Sequence, residues 1–299
     1  MEKGGILLPF LIVTLIWSST WIVIRDQLGT VPPSWSVCYR FLIAGIGMVI
    51  LARMRRVPLT IGWDGLAFAT LLGLAQFVLN FNFVYRAEQY LTSGVVAIVY
   101  AMLLIPNSLL GWIAYRQPLN RGFLIGSGIA VAGIALLLAH EYRAASIDPA
   151  DVVLGVALCL AGLMSASTAN VMQGSAIAHR LPMIALLAWA MLIGAAIDAG
   201  WAWANHGPPV IDTRPAYLLG VAYLAIAGSV VTFPLYFRLI QRMGAARAAY
   251  TGVLIPVIAM LISTLVEGYA WSAMAAIGAL LAVIGMIVAM RARDRPVGA

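Results

Sequence analysis

Residues 92–117 read TSGVVAIVYAMLLIPNSLLGWIAYRQ, an apolar run broken by one proline. Residues 243–267, MGAARAAYTGVLIPVIAMLISTLVE, repeat its pattern 150 positions later. Aligning Pro106 with Pro256 also aligns Gly94 with Gly244, Tyr100 with Tyr250, Leu104 with Leu254 and Ile105 with Ile255. Gln117 then falls on Glu267. A proline with a tyrosine six residues before it, in two greasy runs at corresponding places, points to a duplicated membrane protein.

Composition carries the same message. Of 299 residues, 63% are hydrophobic and 10% charged, whereas a soluble domain carries roughly 25% charged residues. Such a chain has too few polar groups to coat a surface in water, so lipid must be part of its solvent. The net charge of +7 does not point to nucleic acid, because no basic run is interleaved with aromatics on a soluble module. Cys38 and Cys159 lie apart in apolar runs, which provides neither a disulfide framework nor a zinc site. The N-terminal run lasts long enough to span a membrane and is expected to be the first span rather than a cleaved leader.

About 20 apolar residues cross a bilayer as a helix, because backbone groups in lipid must pair internally. Ten such spans are predicted, near 6–25, 34–53, 63–86, 91–115, 121–140, 152–173, 182–203, 215–238, 245–266 and 272–291. With the N-terminus inside, the inner ends carry Lys3, Arg53, Arg55, Arg56, Arg116, Arg121, Arg180, Arg238, Arg242, Arg247, Arg291, Arg293 and Arg295. The outer ends carry only Arg25, Arg86, Arg143 and Arg214, and Arg40 lies within a span. This bias places both termini in the cytoplasm. Most acidic residues, Glu88 and Glu267 among them, are expected at the outer ends.

Further matches extend the repeat. IGSGIAVAGI from Ile125 matches IGALLAVIGM from Ile277, and SSTWIV from Ser18 faces ASTANV from Ala166. Residues 1–145 and 146–299 are therefore expected to be two five-helix repeats. Five is odd, so the halves insert with opposite orientation, which in carriers puts the substrate near the midplane between them. The predicted fold class is an all-α integral membrane protein of ten transmembrane helices in two inverted-topology repeats.

Several strings resemble the drug/metabolite transporter superfamily, in its ten-helix EamA-type branch. They are WSSTWIVIR in the first span, YRFLIAG in the second, LIP in the fourth and ninth, and LVEGY after the ninth. Gln117 departs from the pattern, which more often has glutamate there. The resemblance implies a multi-pass carrier of the bacterial inner membrane, an exporter of amino acids or other small metabolites. In general shape the chain is most similar to the aromatic amino-acid exporters.

Pro106 and Pro256 cannot donate a backbone hydrogen bond, so each leaves a carbonyl one turn back, Met102 and Gly252, without its usual partner. Pro234 does the same in the eighth span. These are expected kinks, and freed carbonyls at a kink can line a cavity. Candidate cavity residues are Trp17 and Trp21 in the first span, Arg40 in the second, and Gln76 and Asn80 in the third. Tyr100 and Asn107 in the fourth, Ser165 in the sixth, Trp189 in the seventh and Tyr250 in the ninth complete the set. For the aromatics the alternative is ordinary packing. Arg40 either snorkels to the surface or holds free carbonyls and a carboxylate-bearing substrate. Arg247 either snorkels or, with Glu267, marks a gate. Small residues in the fifth and tenth spans (Gly122, Gly126, Ala130; Ala275, Ala279, Ala282) allow close helix approach, expected within one chain, with dimerisation as the alternative.

No HExxH pair or other catalytic cluster appears, so an intramembrane enzyme is not expected. No cofactor or metal is expected either, and a channel or receptor would leave the inverted repeat unexplained. The partners expected are a small-molecule substrate, an amino acid or related metabolite, and the lipid bilayer. No acidic residue is expected at mid-depth, which favours alternating access driven by the substrate gradient. The alternative is a broader drug or amine exporter, with proton coupling.

Overall fold

The computed structural model describes residues 4–144 and 148–293. Lys3 and Arg295, used above for orientation, lie outside them, as do the side chains of Tyr250 and Arg293. The protein is all-helical, and among the described residues nine helices are long and apolar enough to cross a membrane. In chain order the spans are α1 (Gly4–Asp26), α2 (Pro33–Met54), α3 (Gly62–Ala87), α4 (Ser93–Tyr115) and α5 (Arg121–Ala144). The second half holds α6 (Pro149–Met172), α7 (Met183–His206), α8 (Pro215–Met243), α9 (245–266) and α10 (Ala273–Arg293). A five-residue helix, Ala176–Arg180, links α6 to α7.

Local chemistry sets the ends. Pro33 and Pro149 open α2 and α6 at their first turn, where a missing N–H costs nothing. The Asp148 side chain caps α6 by accepting from the Ala150 N–H at 2.8 Å. Gly244, at φ +86°, turns the chain out of α8, in a conformation that a Cβ would strain.

Four helices are not regular, and they fall at matched places in the two halves. α3 widens to a π-helix over Gly73–Leu79, and α8 does so over Ile226–Val231. The starts differ by 153 residues (73 to 226) and the ends by 152 (79 to 231). α4 breaks between Ala101 and Leu104, and α9 begins as Ala245–Ala248, tightens to a 3₁₀ turn at Ala249–Val253 and resumes at Leu254. This is why the ninth segment yields only a short regular apolar helix, Leu254–Val266. The two breaks meet: a Cβ on Gly252 would lie 3.7 Å from the Ala101 Cα. At Pro106 the expectation of an unpaired Met102 carbonyl is corrected, because that carbonyl accepts from the Ile105 N–H at 2.8 Å. The chain relieves the proline by tightening the turn before it.

Packing fixes the frame around these irregular helices. α5 and α10 approach backbone to backbone: a Cβ at Gly126 would run into Ala289, at Gly133 into Ala282, and at Gly285 into Ala130. The small residues of these spans therefore join the two halves of one chain. α2 and α7 form a second close pair, with Gly45 against Leu192. A run of aromatic edges, Phe41–Phe77 at 4.8 Å, Phe77–Phe233 at 5.1 Å and Phe233–Phe237 at 5.7 Å, ties α2, α3 and α8 into the main core.

Candidate functional site

The irregular helices surround a cavity of about 90 Å³. Trp17 and Trp21 of α1, Arg40 of α2, Gln76 and Asn80 of α3 and Tyr100 of α4 all line it. An adjoining hollow of about 70 Å³ shares Trp17, Trp21 and Tyr100 and reaches Ala101 and Gly252 at the two breaks.

The walls are aromatic and closely interlocked. Trp17 meets Tyr236 at 4.8 Å and Phe233 at 5.5 Å, both edge-on, and Trp21 lies 5.2 Å from Tyr100. Trp17 Nε1 donates to Thr232 Oγ1 at 2.9 Å and to the Gly228 carbonyl at 3.3 Å. That carbonyl lies within the π-helical turn of α8 and also accepts from Thr232 Oγ1 at 2.7 Å. A π-turn shifts the backbone register and so presents groups a regular helix would hide. Here it gives α1 a fixed contact in α8.

Arg40 uses the same turn. Its side chain is 1% exposed, so it does not snorkel to the surface. Nε donates to Ser229 Oγ at 3.2 Å, Nη2 reaches the Gly228 carbonyl at 3.5 Å, and the guanidinium stacks 4.3 Å from the Phe81 ring centre. Nη1 has no partner. Two further polar atoms on this wall are also buried without partners: Trp21 Nε1 and Gln76 Oε1. By contrast Asn80 is engaged, taking the Tyr100 O–H on Oδ1 at 2.7 Å. Buried donors and acceptors are nearly always paired in folded proteins, so three unpaired atoms on residues that line one cavity stand out.

Other expected cavity residues lie elsewhere. Asn107 donates to the Ala245 carbonyl at 3.1 Å, joining α4 to the start of α9, and it touches Asn170 rather than the cavity. Ser165 turns back onto its own helix, donating to Ala161 at 3.0 Å, while Ala166 and Asn170 of α6 face the cavity. Trp189 packs in the core and donates to the Leu59 carbonyl at 2.8 Å. Pro234 lies in the first turn of the α-helix that resumes at Thr232, between two residues of the cavity wall, Phe233 and Tyr236. Arg247 is exposed near the start of α9, and Glu267 lies just past its other end, so the two are not a pair. Glu267 instead lies 3.7 Å from Arg25 Nε and accepts from the Ser93 hydroxyl at 2.5 Å.

Two carboxylates are nevertheless fully buried, neither of them midway along a span: Asp198 lies toward the end of α7, and Glu88 lies beyond the end of α3. Asp198 and Glu88 are both 0% exposed. Asp198 of α7 accepts from Asn82 Nδ2 at 2.7 Å, and Asn82 Oδ1 accepts from the Ser34 hydroxyl at 2.8 Å. This chain of contacts lies between α2, α3 and α7, away from the cavity lining. Glu88 lies in the turn after α3.

Missed by sequence reasoning were Phe233 and Tyr236. Their spacing of three in FPLYF puts both on one helical face, and with Pro234 between them that signal was available.

The sequence profile of the EamA-like transporter family matches this chain twice, over residues 3–139 and 153–291. The chain belongs to that family, and with it to the drug/metabolite transporter superfamily. It is a membrane transporter of small molecules rather than an enzyme. Among curated relatives, it is 24% identical to Protein PagO of Salmonella typhimurium, over 99% of this chain and 96% of that one. A probable amino-acid metabolite efflux pump of Escherichia coli is 23% identical over 96% of this chain and 94% of the relative. A solved crystal structure superposes with a TM-score of 0.72 at 20% identity, over 98% of this chain and 99% of that one. At that identity the likeness is one of fold.

Proposed function

We propose that the protein exports neutral or aromatic amino acids, or similar small amphipathic metabolites, from the cytoplasm across the bacterial inner membrane by alternating access. The observation that carries this is the set of unpaired groups in the cavity wall. Arg40 Nη1 and Trp21 Nε1 are donors for a carboxylate, and Gln76 Oε1 is an acceptor for an ammonium group. Together they suit a zwitterion, while Trp17, Tyr100 and Tyr236 offer flat apolar surface to its side chain. Tyrosine and tryptophan combine that surface with a polar tip.

The size supports a metabolite over a bulky drug. A cavity of about 90 Å³ is far below the roughly 300–1,000 Å³ of drug-sized sites. An exporter of cationic amines would also need a carboxylate in the wall, and no Asp or Glu lines this cavity among the described residues. The broken α4 and α9, which meet at Ala101 and Gly252, are the segments expected to pivot while the α5–α10 pair stays fixed.

The test is reconstitution into liposomes with a panel of labelled amino acids and their decarboxylated amines, with and without imposed ion gradients. Efflux of amino acids down their own gradient, with the amines left behind, is expected. Selective efflux of the amines would overturn the proposal.

A further inference from the structure

Glu88 is a carboxyl group that the cavity does not use. It lies in the five-residue turn between α3 and α4, with no exposed surface, and neither carboxyl oxygen has a hydrogen-bond partner. Its neighbours Ala87 and Leu91 belong to an apolar cluster.

The ionisable groups that act on Glu88 come from several elements. Arg25 of α1, Arg40 of α2 and the Glu267 carboxylate beyond α9 all do so. Tyr85 of α3, Tyr100 of α4 and Cys159 of α6 feel it in turn. Of the two carboxylates at this end, Glu267 is served: Arg25 lies 3.7 Å away and Ser93 donates both its hydroxyl (2.5 Å) and its backbone N–H (3.3 Å). These contacts tie α1, α4 and α9 together. The closeness of that tie is plain at Gly94, where a Cβ would lie 2.5 Å from Met260 Sδ. Glu88 receives no such donors. A carboxylate stripped of water and of donors is much less favourable than the neutral acid.

We propose that Glu88 is a proton-binding site linked to the opening of this end of the molecule. It carries a proton while Arg25, Glu267 and Ser93 hold α1, α4 and α9 together, and it releases that proton to water when they part. On opening, the carboxyl O–H bond breaks, the proton passes to solvent at this end and the carboxylate is hydrated. On closing, one proton returns from the same side. Burial, followed by the neighbouring Glu267 charge, holds the Glu88 carboxyl well above the usual carboxylate range. The sign follows: closing takes up a proton, so acid favours the closed end and rising pH favours the open one. With one proton involved, the open-to-closed ratio rises about tenfold per pH unit until Glu88 titrates in the closed form. Sequence orientation places this end outside the cytoplasm, so external pH would set the rate at which cargo leaves.

The test needs no substrate, so its outcome is independent of how the cavity is read. Infrared spectra of the protein in nanodiscs, prepared with and without ¹³C-labelled glutamate, should show a protonated-carboxyl band at neutral pH that moves on labelling. The band should be absent in Glu88→Gln. Hydrogen exchange of the amides near residues 88–94, corrected for intrinsic rates, should accelerate about tenfold per pH unit beyond that correction. In Glu88→Gln the corrected rates should be flat. Should that variant not fold, Glu88→Asp takes its place, and the glutamate-sensitive band should again be absent. A spectrum with no glutamate-sensitive band, or the same pH slope in both proteins, would overturn the proposal.

Discussion

Replacing Arg40 with methionine should separate recognition of a carboxylate from support of the fold. Arg40 spends Nε on Ser229 and Nη2, at a long 3.5 Å, on the Gly228 carbonyl. Neither partner is stranded by its loss. Ser229 Oγ still donates to the Leu224 carbonyl at 2.8 Å, and Gly228 still accepts from Thr232 and Trp17. Methionine fills most of the arginine stem and removes a buried charge, a change that is often neutral or stabilising. Thermal stability should therefore move little. A charged hydrogen bond from Nη1 to a substrate carboxylate would be worth about 1.5–3 kcal/mol, or roughly a 10- to 150-fold change in affinity. The assay is equilibrium binding of phenylalanine and of phenethylamine, its analogue without the carboxylate, to purified protein. Arg40→Met should weaken phenylalanine by that factor and leave phenethylamine nearly unchanged. Equal weakening of both, or of neither, would refute the assignment of Arg40 to the carboxylate.

Other perturbations bear on the frame. Gly133→Val should lower the melting temperature sharply, because the new Cβ meets the Ala282 backbone, while Gly128→Ala, with open space around it, should not; overpacking of this kind costs about 1–3 kcal/mol or more. Asn82→Leu takes away the hydrogen bond that Asn82 gives Asp198 and should cost about 1–3 kcal/mol, with the double variant carrying Asp198→Asn recovering part of it in the same thermal assay. At the surface, the Arg214 backbone N–H and then its side chain hold the Asp212 carboxyl below its ordinary range. Stability of that loop is thus present above the usual carboxylate range and lost as pH falls through the depressed value. Hydrogen exchange at the Arg214 amide should show Arg214→Gln losing protection at a higher pH than the parent.

Sequence alone reached the span order because lipid imposes a length and a polarity on each segment. The paired LIP strings at Pro106 and Pro256 marked the two broken helices. The break itself lies just before each proline, at 101–104 and 249–253, since the chain relieves the missing N–H upstream of it. Trp17, Trp21, Arg40, Gln76, Asn80 and Tyr100 were legible as polar or aromatic residues deep in apolar runs, and the structure gathers these six around one cavity. Ser165 and Trp189 share that signature and yet find partners in their own helix and in the Leu59 backbone. Periodicity cannot tell a hydroxyl satisfied by its own helix from one aimed at a ligand. Glu88 was missed for the opposite reason. It lies in a polar turn that hydropathy assigns to water, and only tertiary packing, which includes α6 against Tyr90 and Leu91, buries it.

The π-helical turns of α3 and α8 amount to one residue too many in each helix. A regular helix advances about 100° per residue, so deleting a single residue within Gly73–Leu79 would swing every later side chain of α3 by that angle. Asn80 would leave Tyr100, and Asn82 would leave Asp198. The surplus residue acts as a fixed phase correction, setting the face that the second half of the helix turns toward α4 and α7. It recurs at the same place in both halves of the chain, so the same deletion in α8 would turn Phe233 and Tyr236 away from Trp17.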